Sequence, residues 1–187
     1  MIGVLALQGN FVSHIEILNK IGIDSRLVKN SQDLSHLNGL ILPGGESTTM
    51  SNLLLRDQSL VDGIKSFSYS KPIFGTCAGL ILMSKNSFDK KVLNMNILDI
   101  EVSRNAYGRQ VHSFEDSITL ESKEDNSKLI KASFIRAPKI TNIGKDVDVL
   151  CKHNNEIVGV KQGIHMAVTC HPELQNEILL HKLCFKS

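Results

Sequence analysis

Apolar residues in the first half of the chain fall into short unbroken runs that alternate with helically spaced ones. Ile2 to Leu7 is continuous up to Gln8-Gly9, the pattern of a parallel strand buried on both faces. Ile15, Ile17, Leu18 and Ile21 then recur at mainly helical spacing, and Gly22 is a natural C-cap. Ser25 to Val28 reads as the second strand and Gly39 to Leu42 as the third, stopped by Pro43-Gly44-Gly45. Helical stretches follow at Met50 to Leu55 and at Leu60 to Phe67, then a strand at Ile73-Phe74 and a helix opened by Leu80 to Met83.

The second half changes character. Ile97 to Val102, Ser117 to Leu120, Ser133 to Ile135, Val147 to Lys152, Glu156 to Val160 and His165 to Cys170 are strand-like runs with little helix between them. Asn154-Asn155 and Gln162-Gly163 predict tight hairpin turns, and Leu174 to Phe185 predicts an amphipathic closing helix. The expected fold class is α/β: a doubly wound, mainly parallel sheet flanked by helices, with an antiparallel extension in the C-terminal half.

Composition narrows the function classes. At 187 residues, with 42% hydrophobic and 21% charged residues, residues 1–187 are expected to form a single globular domain. A net charge of +2 with both signs scattered gives no nucleic-acid face, and the polar stretch from Glu115 to Lys131 reads as a solvated strand and loop. The cysteines at 77, 151, 170 and 184 form no C-x-x-C pair, so no metal site is suggested and the thiols are expected to be reduced, as in a cytoplasmic protein. The apolar N-terminus lacks a basic flank, and no run approaches the ~20 apolar residues of a membrane span.

Chemistry concentrates at three strand ends. Gly75, Cys77 and Gly79 form the thiol version of G-x-S-x-G, a nucleophile elbow between a strand and a helix whose free N–H groups favour a thiolate. The same pentapeptide also fits a buried, inert cysteine in an ordinary turn. The segment Pro43 to Thr49 pairs a glycine loop, whose bare N–H groups suit an anion or a developing oxyanion, with hydroxyl residues able to cap the next helix. It lacks the ending of a Walker A loop, and such glycines also merely close tight turns.

His171 follows a strand directly, and Pro172 restricts it to an extended conformation in which His171 and Glu173 project to one side. A carboxylate there can orient the imidazole as a base for the cysteine. A plain turn before a helix fits the same tripeptide. His14 lies on the first helix. His36, His112, His153 and His181 fall in polar contexts where exposure is expected, and His165 has no evident partner.

These motifs together resemble the class I (triad) glutamine amidotransferases, and more narrowly the glutaminase subunits of pyridoxal 5'-phosphate synthases. The matching stretches are Gly3 to Gly9, Gly39 to Thr49, Phe74 to Leu80, Arg104-Asn105 with Gly108 to Gln110 and Ser113 to Glu115, Phe134 to Pro138, and His171 to Glu173. The elbow and His-Pro-Glu mark the superfamily, while Gly-Gly-Glu-Ser-Thr-Thr and Phe-Ile-Arg-Ala-Pro mark the narrower branch. The resemblance implies a catalytic triad of Cys77, His171 and Glu173. It implies a glutamine site at Gly45, Glu46, Ser47, Arg104, Ile135 and Arg136, the arginines suiting an α-carboxylate. Backbone N–H groups of Gly44, Gly45 and Ala78 would form the oxyanion hole.

The implied reaction needs no metal or cofactor. It releases glutamate, and passes ammonia to a separate synthase subunit that condenses it with ribose 5-phosphate and glyceraldehyde 3-phosphate into pyridoxal 5'-phosphate. Ser13-His14 replaces the usual Glu-His, Cys170 replaces a usual Phe, and Gly163 to Met166 is less typical; none of these touches the triad. Open alternatives are an amidotransferase subunit of another pathway, a stand-alone cysteine hydrolase, and a binding module that keeps the fold.

Overall fold

The computed structural model describes residues 1–104, 113–121 and 127–186. Asn105, Gly108 to Gln110 and His112 of the readings above, and residues 122–126 of the polar stretch, lie outside the described residues.

The first half alternates as its pattern predicts. Strand β1 (Ile2–Leu5) leads to helix α1 (Phe11–Lys20), then β2 (Ser25–Val28) and β3 (Leu40–Leu42). Helices α2 (Ser47–Leu55) and α3 (Gln58–Ser68) precede β4 (Ile73–Thr76) and α4 (Ala78–Met83). The second half adds β5 (Ser84–Asn86), β6 (Leu98–Ser103), β7 (Phe114–Leu120), β8 (Lys128–Phe134) and β9 (Lys139–Ile143). It closes with β10 (Asp148–His153), β11 (Glu156–Gln162), β12 (His165–Val168) and α5 (Leu179–Phe185).

Among the described residues the large sheet runs β2-β1-β3-β4-β12-β11-β10-β7-β8. The five strands from β2 to β12 are parallel, and those from β11 to β8 are antiparallel. The fold is therefore the α/β sheet with an antiparallel extension that the pattern predicts. A separate small sheet, β5-β6-β9, was not anticipated. Its strands β5 and β9 are short and carry polar residues such as Ser84, Lys85, Thr141 and Asn142, so no apolar run marks them.

Period-two alternation sorts the central strands between two cores. Leu40, Leu42 and Ile73 join Leu5, Met50, Leu54, Leu60 and Leu80 beneath α2, α3 and α4. Ile41, Phe74, Met166 and Val168 join Val4, Leu18 and Leu180 beneath α1 and α5. Both faces of β3, β4 and β12 are thus covered, which leaves only their ends open to ligands.

Three local expectations are corrected. The turn between β11 and β12 is Gly163-Ile164, since Gln162 still pairs with His165; only Gly163 takes a positive φ, +55°. The cap of α2 is the carboxylate of Glu46, which accepts from Thr48 N and Thr49 N, and not a hydroxyl. The closing segment is not one helix. A 3-10 turn at Pro172–Gln175 ends where Asn176 turns left-handed at φ 57°, and α5 starts afresh at Leu179.

Candidate active site

The adjacent strands β3, β4 and β12 each deliver one part of the site at a C-terminal end. β4 ends at Thr76, and Cys77 stands at the corner with φ 48° and ψ −102°, a strained conformation for a residue with a Cβ. Its N–H donates to Val168 O at 2.9 Å, and its carbonyl accepts from Ile81 N at 3.2 Å, so neighbouring strand and following helix both hold the turn. The flanking glycines serve close packing. A Cβ on Gly79 would lie 1.9 Å from Leu42 O, and one on Gly75 would lie 2.6 Å from Met83 Sδ.

His171 leaves the end of β12 and is pinned by a two-way bridge to Ser133, with His171 N to Ser133 O at 2.8 Å and Ser133 N to His171 O at 3.1 Å. Its Nδ1 lies 2.8 Å from Glu173 Oε1. The predicted meeting of the two residues occurs, but not through extended chain. Proline at the first position starts a 3-10 turn, and that turn carries Glu173 back under the ring.

The electrostatics favour a protonated His171. Burial works against a charged His171, but interactions with the Cys77 sulfur and the Glu173 carboxylate outweigh it and raise the imidazole to about 10. Burial also pushes Glu173 upward, and the His14 and His171 rings beside it reverse this and hold it below the usual carboxylate range. Glu173 is only 3% exposed.

Cys77 and His171 open into a cleft of about 480 Å³. Gly44, Gly45, Glu46, Ser47, Arg104, Ile135 and Arg136 line it with them, so the residues implied by the resemblance come together from distant parts of the chain. Ala78, directly after Cys77, is fully buried, and Glu173 sits behind His171. Gly44 presses on the imidazole, because a Cβ there would fall 2.1 Å from His171 Cε1. The Gly44 carbonyl accepts from Asn10 N at 2.9 Å, and Gln8 Oε1 accepts from Glu46 N at 3.0 Å.

Arg104 is less free than its proposed role suggests. Its guanidinium pairs with Asp89, donates to Thr48 Oγ1 at 3.0 Å and lies 3.6 Å from Glu46 Oε1. Glu46 in turn is lowered to about 2, chiefly by the Thr49 hydroxyl bond, which together with the backbone N–H groups it caps outweighs the desolvation that pushes it up. Arg136 is exposed and takes a positive φ of 45° just beyond β8.

Gln8, Asn10, Ile81 and Leu174 also line the cleft and were not singled out from the sequence. For Gln8 and Asn10 a signal existed, since they follow β1 at the same sheet edge. The histidine expectations need correction too. His181 is fully buried, with His14, against Phe74, because α1 and α5 both pack over β4. His153 is mostly covered by Phe134 and lies 2.8 Å from Asp116, and His165 Nδ1 accepts from Ile73 N at 3.2 Å. His36 is exposed as expected.

Comparison with known proteins bears on the same residues. The model of the SNO glutamine amidotransferase family matches residues 4–186. A protein from Oenococcus oeni named pyridoxal 5'-phosphate synthase subunit PdxT is 44% identical over 99% of the chain and 95% of its own length. Its namesake from Shouchella clausii is 46% identical over 99% and 93%. A solved structure described as a glutamine amidotransferase superimposes with a TM-score of 0.91 at 37% identity, covering 99% of this chain and 97% of that one. PurLQS from Thermotoga maritima, at 16% identity and a TM-score of 0.68, shares the fold over 96% of this chain and 97% of that one.

Proposed function

From the premise that the chain belongs to the SNO glutamine amidotransferase family, we propose that it is the glutaminase subunit of a pyridoxal 5'-phosphate synthase and uses Cys77, His171 and Glu173 to hydrolyse L-glutamine. The observation that carries the reading is the pairing of Cys77 with His171 in one cleft, with Glu173 2.8 Å behind the imidazole. Residues 1–187 act as one glutaminase domain.

The Cys77 thiolate attacks the side-chain amide carbon of glutamine, and the carbonyl π electrons move onto oxygen. N–H groups of Ala78 and, once its peptide is reoriented, of the Gly44-Gly45 loop would stabilise that oxyanion, and such donors contribute ~3 to 4 kcal/mol each in acyl transfer. His171, protonated at rest, gives its proton to the departing nitrogen, so ammonia leaves and a γ-glutamyl thioester remains. Neutral His171 then takes a proton from water, whose hydroxide displaces the sulfur and releases glutamate. Glu173 holds Nδ1 and steadies the imidazolium throughout.

Glutamine selectivity is assigned to Gly45, Glu46, Ser47, Arg104, Ile135 and Arg136. Glu46, ionised and exposed in part, suits the α-ammonium, and the arginines suit the α-carboxylate. The ammonia is handed to a synthase subunit as acceptor, a reading supported by relatives named as subunits of a pyridoxal 5'-phosphate synthase. Reorienting the Gly44-Gly45 peptide on docking would exchange its bond from Asn10 N, and two glycines allow that rotation at little steric cost. No helix among the described residues is long and apolar enough to cross a membrane, and the four free thiols suit a cytoplasmic setting.

The test is glutamate release by wild type and Cys77→Ala, each with and without the synthase partner. Stimulation of the wild type by the partner and loss of activity in the variant are expected. Full activity in Cys77→Ala, or hydrolysis indifferent to the synthase, would overturn the reading.

A further inference from the structure

Two buried histidines take no part in the reaction as written. His14 on α1 and His181 on α5 come from opposite ends of the sequence, and both are 0% exposed. Enclosing two imidazoles is unfavourable unless their nitrogens are paired. Three of the four are joined in a line that ends at the triad. His181 Nε2 lies 2.9 Å from His14 Nδ1, and His14 Nε2 lies 3.2 Å from Thr76 Oγ1 and 3.6 Å from Glu173 Oε1.

The line has a direction. Burial holds both rings below the usual histidine range, so each is neutral and carries one N–H. Among the described residues His181 Nδ1 has no hydrogen-bond partner. If His14 carried its proton on Nδ1, His181 would bury an N–H at Nδ1 with no acceptor, and the bare Nε2 of His14 would face a carboxylate. With the proton on His14 Nε2, the N–H points between the Thr76 hydroxyl oxygen and Glu173, His181 Nε2–H donates to His14 Nδ1, and only a lone pair is left unpaired. The charge on Glu173 selects this second arrangement.

We propose that His14, oriented by His181, is a positioning residue for Glu173: its Nε2–H keeps the buried carboxylate ionised and turned toward His171. Neither histidine lines the cleft, so both act through Glu173 and not on substrate. The need is evident from the carboxylate itself, whose second oxygen, Oε2, has no partner among the described residues. The other titratable groups near it are His171, Cys77 beyond that ring, and the Cys170 thiol, which burial keeps protonated.

The inference rests on the glutaminase reading for its rate assay, so a second readout avoids glutamine. For wild type, His14→Leu, His14→Gln and His181→Leu, glutamate release by the synthase complex is measured against pH, together with the rate of Cys77 alkylation by iodoacetamide. His14→Leu should move the acidic inflection of both profiles up by about one pH unit, a tenfold change in proton affinity, with KM for glutamine unchanged. His14→Gln, whose amide N–H reaches the same place, should restore most of the shift, and His181→Leu should give a smaller one in the same direction.

A folded His14→Leu with the wild-type inflection, or Leu and Gln variants that behave alike, would overturn the proposal. Should His14→Leu fail to fold, a His181→Leu profile superimposable on wild type would overturn it equally. If the alkylation profile shifts while the wild type releases no glutamate, the glutaminase reading falls and the positioning role stands.

Discussion

Replacing Gly44 by alanine tests how tightly the site is fitted around its base. The new methyl carbon would sit 2.1 Å from His171 Cε1, 2.9 Å from Nδ1 and 3.1 Å from Nε2. Reaching the 3.4 Å where ordinary contact begins requires a displacement of about 1.3 Å. The ring cannot supply it freely, because His171 is bridged to Ser133 on its backbone and tied to Glu173 at 2.8 Å on its side chain. Gly44 is also restrained, since its carbonyl accepts from Asn10 N. Whichever yields, the imidazole and the oxyanion loop lose their mutual placement, and a misplacement of ~1 Å costs on the order of 10²-fold in rate. Glutamate release by the Gly44→Ala complex should therefore fall by about that factor in kcat, with the chain folded by circular dichroism. The comparison is Gly45→Ala, whose methyl meets Gln8 Oε1 at 2.5 Å and the Gly9 Cα at 2.9 Å without pressing on the His171 ring, and whose kcat should fall less. A Gly44→Ala complex with kcat within a few-fold of wild type would refute the reasoning that the ring is fixed.

Other outcomes follow from the same contacts. Gly79→Ala places a methyl 1.9 Å from the Leu42 backbone oxygen, and it should destabilise the chain by ~3 kcal/mol or more, seen as a Tm lowered by roughly 6 °C or more. Glu46→Ala removes the acceptor of two N–H groups at the start of α2, and it should cost about 1 kcal/mol in urea unfolding as well as raise KM for glutamine. Folded His171 keeps its proton to about pH 10, whereas an unfolded histidine releases it near ~6.5. Its contribution to stability is accordingly full below ~6.5 and lost as pH rises through 10, and a His171→Ala variant should show a flatter stability profile over that window.

The sequence carries the site's chemistry more openly than its geometry. Cys77 and His171 are legible because their marks lie next to them in sequence: the two glycines that close packing around the corner requires, and the proline that starts the turn after His171. The contact of Glu173 with His171 is legible for the wrong reason, since Pro172 starts a 3-10 turn where the pattern predicts extended chain. The pattern points to hydroxyl caps where Glu46 caps instead, because an acidic side chain folding back on its own helix competes equally for those N–H groups. What could not be read is tertiary. Asp89 meets Arg104 only because the small sheet brings them together, and the burial of His14 and His181 depends on two helices from opposite ends of the chain sharing Phe74.

The position of β12 has a consequence for biosynthesis. It is the last strand of the large sheet to be synthesised, yet it inserts at the centre, between β4 and β11. Until residues 165–168 leave the ribosome, β4, whose four residues are all buried in the finished sheet, presents an open edge, and the antiparallel strands present another at β11. A nascent chain must hold these two edges apart from other chains for most of its translation, which makes it a natural client for holding chaperones and a slow, long-range folder. Reactivity is withheld for the same interval, because the strand that joins the sheet halves also fixes Cys77 through Val168 and carries His171 to its place.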